Sequence, residues 1–327
     1  MTVQSVKEIL ARFPKARVLV VGDLVLDQFV WGKAERISPE APVPVVWAET
    51  QSYMPGGASN VVNNIVSLGG QAALCGVVGE DAHADTLVRI LRDRGVDCDG
   101  ILAEADRPTT VKTRIIAAHQ QVVRVDWEKT QPVTGAGARR LLEAVRRKIG
   151  NVDAVVIEDY GKGVVTPFLL KQVIGLARRH HAIVTVDPKI EHFGYYKGIT
   201  AMTPNEKEAA AGAGIKIVTD ADVDRAGRRL LKTSRGEGVL ITLGEKGMKL
   251  FRRGRITHIP TVAQEVFDVS GAGDTVIAVF TLALACKVKM EDAARIANVA
   301  AGIVVGKVGV AVVTPQEIVA MWRRVSA

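Results

Sequence analysis

Short apolar runs, each closed by glycine, aspartate or proline and most of them followed by text of helical periodicity, recur along this chain. Val18 to Val21 ends in Gly22-Asp23, and Ala73 to Val78, Ala154 to Ile157, Ile183 to Val186 and Val239 to Leu243 repeat the pattern. Runs this short, continuous and β-branched read as strands buried on both faces. Strands alternating with helices predict a doubly wound, mostly parallel α/β sheet with helices on both faces. The 327 residues hold one large domain with an appendage, or two compact domains, at roughly 100 to 200 residues each. No linker, repeat or low-complexity tract divides them, so a single domain over 1–327 is expected.

Two stretches break the alternation. Val43 to Glu49, and Thr110 to Asp126 with His119-Gln120-Gln121 at its centre, are Val/Ile/Thr-rich and read as antiparallel strands and a hairpin outside the parallel sheet. They predict a small β-sheet lid formed by insertions around 28–52 and 108–128.

Composition removes several classes. With 48% hydrophobic and 24% charged residues the chain is neither disordered nor a disulfide miniprotein. Its three cysteines, Cys75, Cys98 and Cys286, lack C-x-x-C spacing and sit in or beside apolar runs, which is the pattern of buried thiols in a reducing compartment. No apolar stretch reaches the ~18 residues of a membrane span and no signal peptide opens the chain, so a cytoplasmic protein without a membrane partner is expected. The net charge is +8, from 43 Lys+Arg against 35 Asp+Glu. Many of the cations, such as Arg139-Arg140, Arg146-Arg147-Lys148, Arg178-Arg179 and Arg228-Arg229, fall in helical-looking text where they serve a solvated face. Aromatics are only 5% and no zinc-finger spacing or basic arm is present, which argues against a nucleic-acid partner.

Four segments can carry chemistry. In Asp268-Val269-Ser270-Gly271-Ala272-Gly273-Asp274-Thr275, the glycines let the backbone turn into the apolar stretch Val276 to Cys286. That turn exposes helix N–H groups to an anion. Asp274, in the first helical turn, is placed to accept a proton from a hydroxyl attacking a phosphate held there. Thr203-Pro204-Asn205-Glu206-Lys207-Glu208 marks a helix start whose Asn205 and Glu208 share a face and offer oxygen ligands suited to hydrated Mg²⁺, or simply cap the helix. Thr242-Leu243-Gly244-Glu245-Lys246-Gly247 follows a strand, at the carboxyl edge where open α/β sheets bind ligands. Gly56-Gly57-Ala58-Ser59-Asn60 opens a helix, and Asn60 with Asp27 can bind sugar hydroxyls. Neither a P-loop nor a Gly-x-Gly-x-x-Gly after the first strand is found, and His180-His181 reads as a helix C-terminal feature.

In combination and order these motifs resemble the ribokinase (PfkB) family of sugar kinases, from Val18 to about Val319. Gly56 to Asn60 looks like that family's N-terminal signature and Asp268 to Asp274 like its C-terminal one, Ser270 standing where Thr is frequent. The resemblance implies an ATP- and Mg²⁺-dependent kinase and admits a monovalent cation. It makes Asp274 the catalytic base and the N–H groups of Gly271, Ala272 and Gly273 an anion hole. Asn205 and Glu208, with Glu206 and Lys207 between them, become the N-x-x-E cofactor segment that places Mg²⁺ through water. Thr242, Gly244 and Gly247 become the nucleotide loop, Asn298 a residue beside the adenine, and Asp27, Gly56, Gly57 and Asn60 sugar contacts.

A narrower likeness lies in Arg36-Ile37-Ser38-Pro39-Glu40-Ala41-Pro42-Val43-Pro44-Val45, which looks like the segment typical of D-glycero-β-D-manno-heptose-7-phosphate kinases of ADP-heptose and lipopolysaccharide synthesis. Its prolines also read as a stiff, extended connection into the lid. Asp159-Tyr160-Gly161-Lys162-Gly163, Asp187-Pro188-Lys189, Lys112-Thr113-Arg114 and Arg124-Val125-Asp126 add to the likeness. The implied reaction is phosphorylation of the heptose 7-phosphate at O1. Arg114, Arg124 and Lys189 are candidates for its phosphate. The alternative is a kinase for another sugar or sugar phosphate, of the ribose or fructose 6-phosphate type. Family likeness further implies a homodimer through the lid. No H-x-G-H nucleotide motif occurs, so the expectation is a stand-alone kinase with a separate adenylyltransferase acting later.

Overall fold

Val18 and Val20 face one side of a sheet while Leu19 and Val21 face the other, and both sides are buried in apolar side chains. The computed structural model describes residues 1–117, 120–263 and 265–326, so His119, at the centre of the expected hairpin, lies outside the described residues. In chain order the strands are β1 (Arg17–Gly22), β2 (Leu24–Ile37), β3 (Pro44–Gly57), β4 (Gln71–Gly79), β5 (Asp97–Glu104), β6 (Val111–Ala117), β7 (Gln120–Trp127), β8 (Ala154–Glu158), β9 (Ile183–Asp187), β10 (Ala201–Met202), β11 (Gly238–Thr242), β12 (Met248–Arg252) and β13 (Arg255–Ile259). The helices are α1 (Val3–Leu10), α2 (Ala58–Ser67), α3 (Ala82–Asp93), α4 (Gly135–Ile149), α5 (Pro167–Arg179), α6 (Glu206–Ala213), α7 (Asp220–Ser234), α8 (Ala272–Ala285), α9 (Met290–Val304) and α10 (Pro315–Ser326).

Nine strands form the main sheet in the order β13-β12-β11-β10-β9-β8-β1-β4-β5. From β11 to β5 every pairing is parallel, and only the β11–β12 and β12–β13 pairings at one edge are antiparallel. One face packs against α1, α2, α3, α8, α9 and α10, the other against α4 to α7. This is the doubly wound architecture. α8 is apolar on nearly every side because it is buried all round from Val276 to Leu284, and its one polar residue there, Thr281, shares a 2.7 Å hydrogen bond with the Thr185 hydroxyl of β9. Among the described residues no helix is long and apolar enough to cross a membrane.

A second sheet, β3-β2-β6-β7, stands apart from the first. Its β2 begins at Leu24, directly after β1, and β3 runs on to Gly57, directly before α2, so both strands reach further toward the core than the 28–52 insertion. The pairing of β2 with β6 is parallel, not antiparallel. The proline-rich segment is not an extended connection. Residues 38–43 form the tip of the β2–β3 hairpin, with Ser38 N–H on the Val43 carbonyl at 2.8 Å. Cys75 and Cys98 are buried, and burial pushes Cys75 up to about 12, so it is an inert thiol.

Candidate active site

β1, β8, β9 and β11 all deliver polar residues at their carboxyl ends: Asp23 just past β1, then Glu158, Asp187 and Thr242. The glycine turn before α8 closes over the same edge. Gly271 has φ 75 and caps the helix, leaving Ala272, Gly273 and Asp274 as its first turn. An added Cβ on Gly271 would lie 2.7 Å from Asn60 Nδ2, so the turn needs glycine for space as well as for φ. Asp274, Gly271, Gly273, Asn205, Glu208, Thr242 and Lys189 line one cavity of about 250 Å³. Larger hollows, such as that of about 810 Å³ beside Asp81 and Arg89, gather no comparable set.

Asp274 is 2% exposed. Its two carboxylate oxygens have separate donors: Asn60 Nδ2 on Oδ2 at 2.7 Å and the Tyr160 hydroxyl on Oδ1 at 2.8 Å. Burial pushes Asp274 up to about 6, and the Asn60 and Tyr160 hydrogen bonds oppose that rise. Asn60 is itself held by Asn64, whose Nδ2 donates to the Asn60 carbonyl at 3.0 Å and to Oδ1 at 3.2 Å. Asn60, expected to face sugar hydroxyls, therefore also holds the Asp274 carboxylate.

Glu158, Asp187 and Asp274 bring carboxylate oxygens within 4.8 Å of one another. Both Glu158 oxygens are buried without a hydrogen-bond donor. Burial, with the repulsion between them and their neighbours, pushes Glu158 and Asp187 well above the usual carboxylate range. Such oxygens also fit a divalent cation. Neither Glu158 nor Asp187 was identified as a site residue from sequence, and Tyr160 was noted only as part of a likeness. The Tyr160–Asp274 bond spans 114 residues and has no spacing signature.

Asn205 and Glu208 form a capping box: Glu208 N–H donates to Asn205 Oδ1 and Asn205 N–H to Glu208 Oε2, each at 2.9 Å. The box does not exclude a site role, since both side chains line the cavity. Burial raises Glu208 above its ordinary value. Glu206 and Lys207 follow on the same helical turn outside the cavity lining. In the neighbouring loop Gly244 has φ 59 with open space where a side chain would stand, while an added Cβ on Gly247 would lie 2.1 Å from the Ile259 carbonyl oxygen. Asn298, on α9, donates to the Pro260 carbonyl at 2.8 Å and so fixes the exit of β13.

Opposite the sheet edge stands the second sheet. Asp27 on β2 pairs with Arg114 on β6, whose guanidinium lies 5.3 Å from the centre of the Phe29 ring. Burial pushes Asp27 up, and Arg114 opposes that. Gly56 is glycine because an added Cβ would lie 2.2 Å from Asp27 Oδ2; Gly57, with φ 54, caps α2. Strand register sets Phe29, Arg114 and Arg124 in one cross-strand row and Asp27, Lys112 and Asp126 in the next but one, on the same face. Arg124 is held by Asp126 at 2.8 and 3.0 Å. Lys189 is not with these arginines; it lies across the cleft among Asp187, Asn205 and Glu208.

A model of the pfkB family carbohydrate kinases matches residues 15–317. The bifunctional protein HldE of Citrifermentans bemidjiense is 46% identical over 318 residues, covering 97% of this chain and 65% of that protein. HldE of Helicobacter pylori is 42% identical over 302 residues, 92% of this chain and 66% of that one. The chain thus spans about 65% of the length of such relatives. Among solved structures, Arabidopsis thaliana ribokinase complexed with ribose and ATP aligns with a TM-score of 0.75 at 22% identity, over 94% of this chain and 98% of that one. Escherichia coli phosphofructokinase-2 in complex with substrates and products aligns with a TM-score of 0.79 at 20% identity, over 95% and 100% of the two chains.

Proposed function

The chain belongs to the pfkB family of carbohydrate kinases, and within that family we propose that it transfers the γ-phosphoryl group of ATP to O1 of D-glycero-β-D-manno-heptose 7-phosphate, giving the 1,7-bisphosphate. The observation that carries the chemistry is the buried Asp274 carboxylate, held by Asn60 and Tyr160 in the first turn of α8. There it takes the proton of the anomeric hydroxyl as O1 attacks the γ-phosphorus in line. The N–H groups of Gly271 and Gly273, with the α8 dipole behind them, offset the charge growing on the transferred group, while the Ala272 N–H donates to the Val269 carbonyl at 3.2 Å and so serves the turn itself. Lys189, in the same cavity, adds a cation to that side. Mg²⁺, when bound, would supply charge neutralisation at the ATP phosphates, and Asn205 and Glu208 in the cavity wall are the residues that would hold it through water. Thr242, Gly244 and Gly247 bring backbone up to the nucleotide, with Asn298 beside the base.

The substrate reading is supported by the segment Arg36 to Val45 and by the likeness to HldE proteins over nearly the whole chain. It is supported also by Arg114 and Arg124 standing with Asp27 on one face of the second sheet, which we read as a lid. That face offers a guanidinium to the 7-phosphate and a carboxylate to a sugar hydroxyl. On the opposite face Val123, Val125 and Trp127 are 45%, 38% and 60% exposed, an apolar strip suited to a second copy of the chain. Light scattering checks that homodimer. The bisphosphate product still requires a later nucleotidyl transfer by another catalytic unit. Coupled ATP consumption with heptose 7-phosphate beside ribose and fructose 6-phosphate tests the substrate; preferred turnover of either of the latter transfers the assignment to that sugar.

A further inference from the structure

The segment Asp159-Tyr160-Gly161-Lys162-Gly163 contributes nothing to the phosphoryl transfer just described beyond one hydrogen bond to its base, yet it is fastened from several directions. From the main sheet, the Asp23 carboxylate accepts the backbone N–H groups of Tyr160 at 2.9 Å, Lys162 at 3.0 Å and Val164 at 2.9 Å. From the connection that enters β6, Arg107 donates to the Lys162 carbonyl at 3.3 Å and to the Gln131 carbonyl at 2.6 Å. From the connection that leaves β7, Glu128 receives Lys162 Nζ at 2.8 Å, and Val133 N–H donates to the Gly163 carbonyl at 2.8 Å. The packing is tight enough that a Cβ on Gly163 would lie 2.2 Å from the Gln131 carbonyl oxygen. Both stems of the β6–β7 hairpin therefore meet on the loop that carries Tyr160.

We propose that Tyr160 is a positioning residue for the Asp274 carboxylate, and that the Lys162–Glu128 ion pair ties its loop to the lid stem so that the base is held in line only while the stem holds its place. The proposal rests on the reading of Asp274 as the base. A carboxylate turns about a broad terminal torsion, and Asn60 fixes only one of its oxygens. The Tyr160 hydroxyl fixes the other. Lys162 and Glu128 are 16% and 23% exposed at the side chain, a shielded pair rather than a solvated one.

The test is a double-mutant cycle on steady-state kinetics, with Asp274→Asn as the reference and whichever sugar of the substrate panel turns over as acceptor. Tyr160→Phe is expected to lower kcat about tenfold while leaving KM for ATP within about twofold, the size of one hydrogen bond to a charged group. Lys162→Met is expected to lower kcat about threefold in the native background and by nothing more in the Tyr160→Phe background, because it acts through Tyr160. Should Lys162→Met fail to fold, Glu128→Gln, which keeps the shape and one accepting oxygen, takes its place in the cycle. Losses that multiply in the double variant overturn the coupling, and a Tyr160→Phe enzyme with native kcat overturns the whole proposal. If Asp274→Asn itself retained turnover, the base reading would be the part that failed.

Discussion

A carboxylate that ionises at 3.8 is a weak base toward a sugar hydroxyl; burial moves Asp274 up to about 6, nearer the pH at which it must work. Asp274→Asn keeps the side-chain shape and removes the base. We expect kcat to fall by about 10²- to 10⁴-fold, with circular dichroism and calorimetric ATP binding unchanged. The native enzyme should be active with Asp274 ionised, so kcat falls about tenfold per unit as pH drops below 6. The same shift has a consequence for stability. A folded pKa raised above its unfolded value favours the protonated fold, so that contribution is complete below 3.8 and is lost as pH rises through 6. The amide of the variant never ionises. Urea unfolding at pH 4 and pH 8 should therefore show the Asp274→Asn variant gaining about 2.4 kcal/mol on the native protein across that interval, at about 1.36 kcal/mol per unit with the unfolded aspartate already half ionised at the lower pH.

Among the elements, the turn into α8 was the most legible in sequence, because two glycines before an acidic residue and a long apolar stretch have few other uses. Its two glycines should respond differently to alanine. At Gly271, φ 75 and the approach of Asn60 Nδ2 at 2.7 Å make the methyl a strain on both turn and base. Gly271→Ala should cost about 1 to 3 kcal/mol in thermal unfolding and lower kcat through displaced Asn60. Gly273 is helical, and its nearest neighbour to an added Cβ is Asp187 Oδ2 at 3.7 Å. Gly273→Ala should keep or raise the melting temperature while the methyl, at the cavity wall, raises KM for ATP. Other elements were hidden for physical reasons. β2 passes from buried at Leu24 to exposed at Ile37, so it has neither the continuous apolar run of a core strand nor a steady alternation. Its parallel pairing with β6 depends on residues more than eighty positions apart, such as Asp27 and Lys112, and leaves no mark in either segment. Glu158 follows the apolar run Ala154 to Ile157 with no motif around it; its meeting with Asp187 and Asp274 exists only once β8, β9 and α8 are packed.

For the molecule as a whole, a net charge of +8 on 327 residues is a poor guide to the cleft. Many of the 43 cations are paired on the surface, as where Arg140 meets Glu104, Lys148 meets Asp97 and Arg252 meets Glu291. The cations assigned to substrate in the proposed function are divided between two parts of the fold: Arg114 and Arg124 on the second sheet, and Lys189 at the carboxyl edge of the main one. If the second sheet closes over the sugar phosphate and the main sheet holds the nucleotide, the two sets answer to different substrates. Arg124 is 48% exposed at the side chain and paired with Asp126, so Arg124→Gln should leave unfolding within about 0.5 kcal/mol of native. It should raise KM for the sugar phosphate about tenfold through loss of one charge-assisted contact, with KM for ATP unmoved. Lys189→Met should show the reverse. Arg114 is unsuited to this comparison, because its removal strands the buried Asp27. Varying both substrates in a steady-state grid separates the constants. An Arg124 variant that shifts both KM values together would place the arginine row outside the sugar-phosphate site, and the 7-phosphate would then have to be sought on the Lys189 side of the cleft.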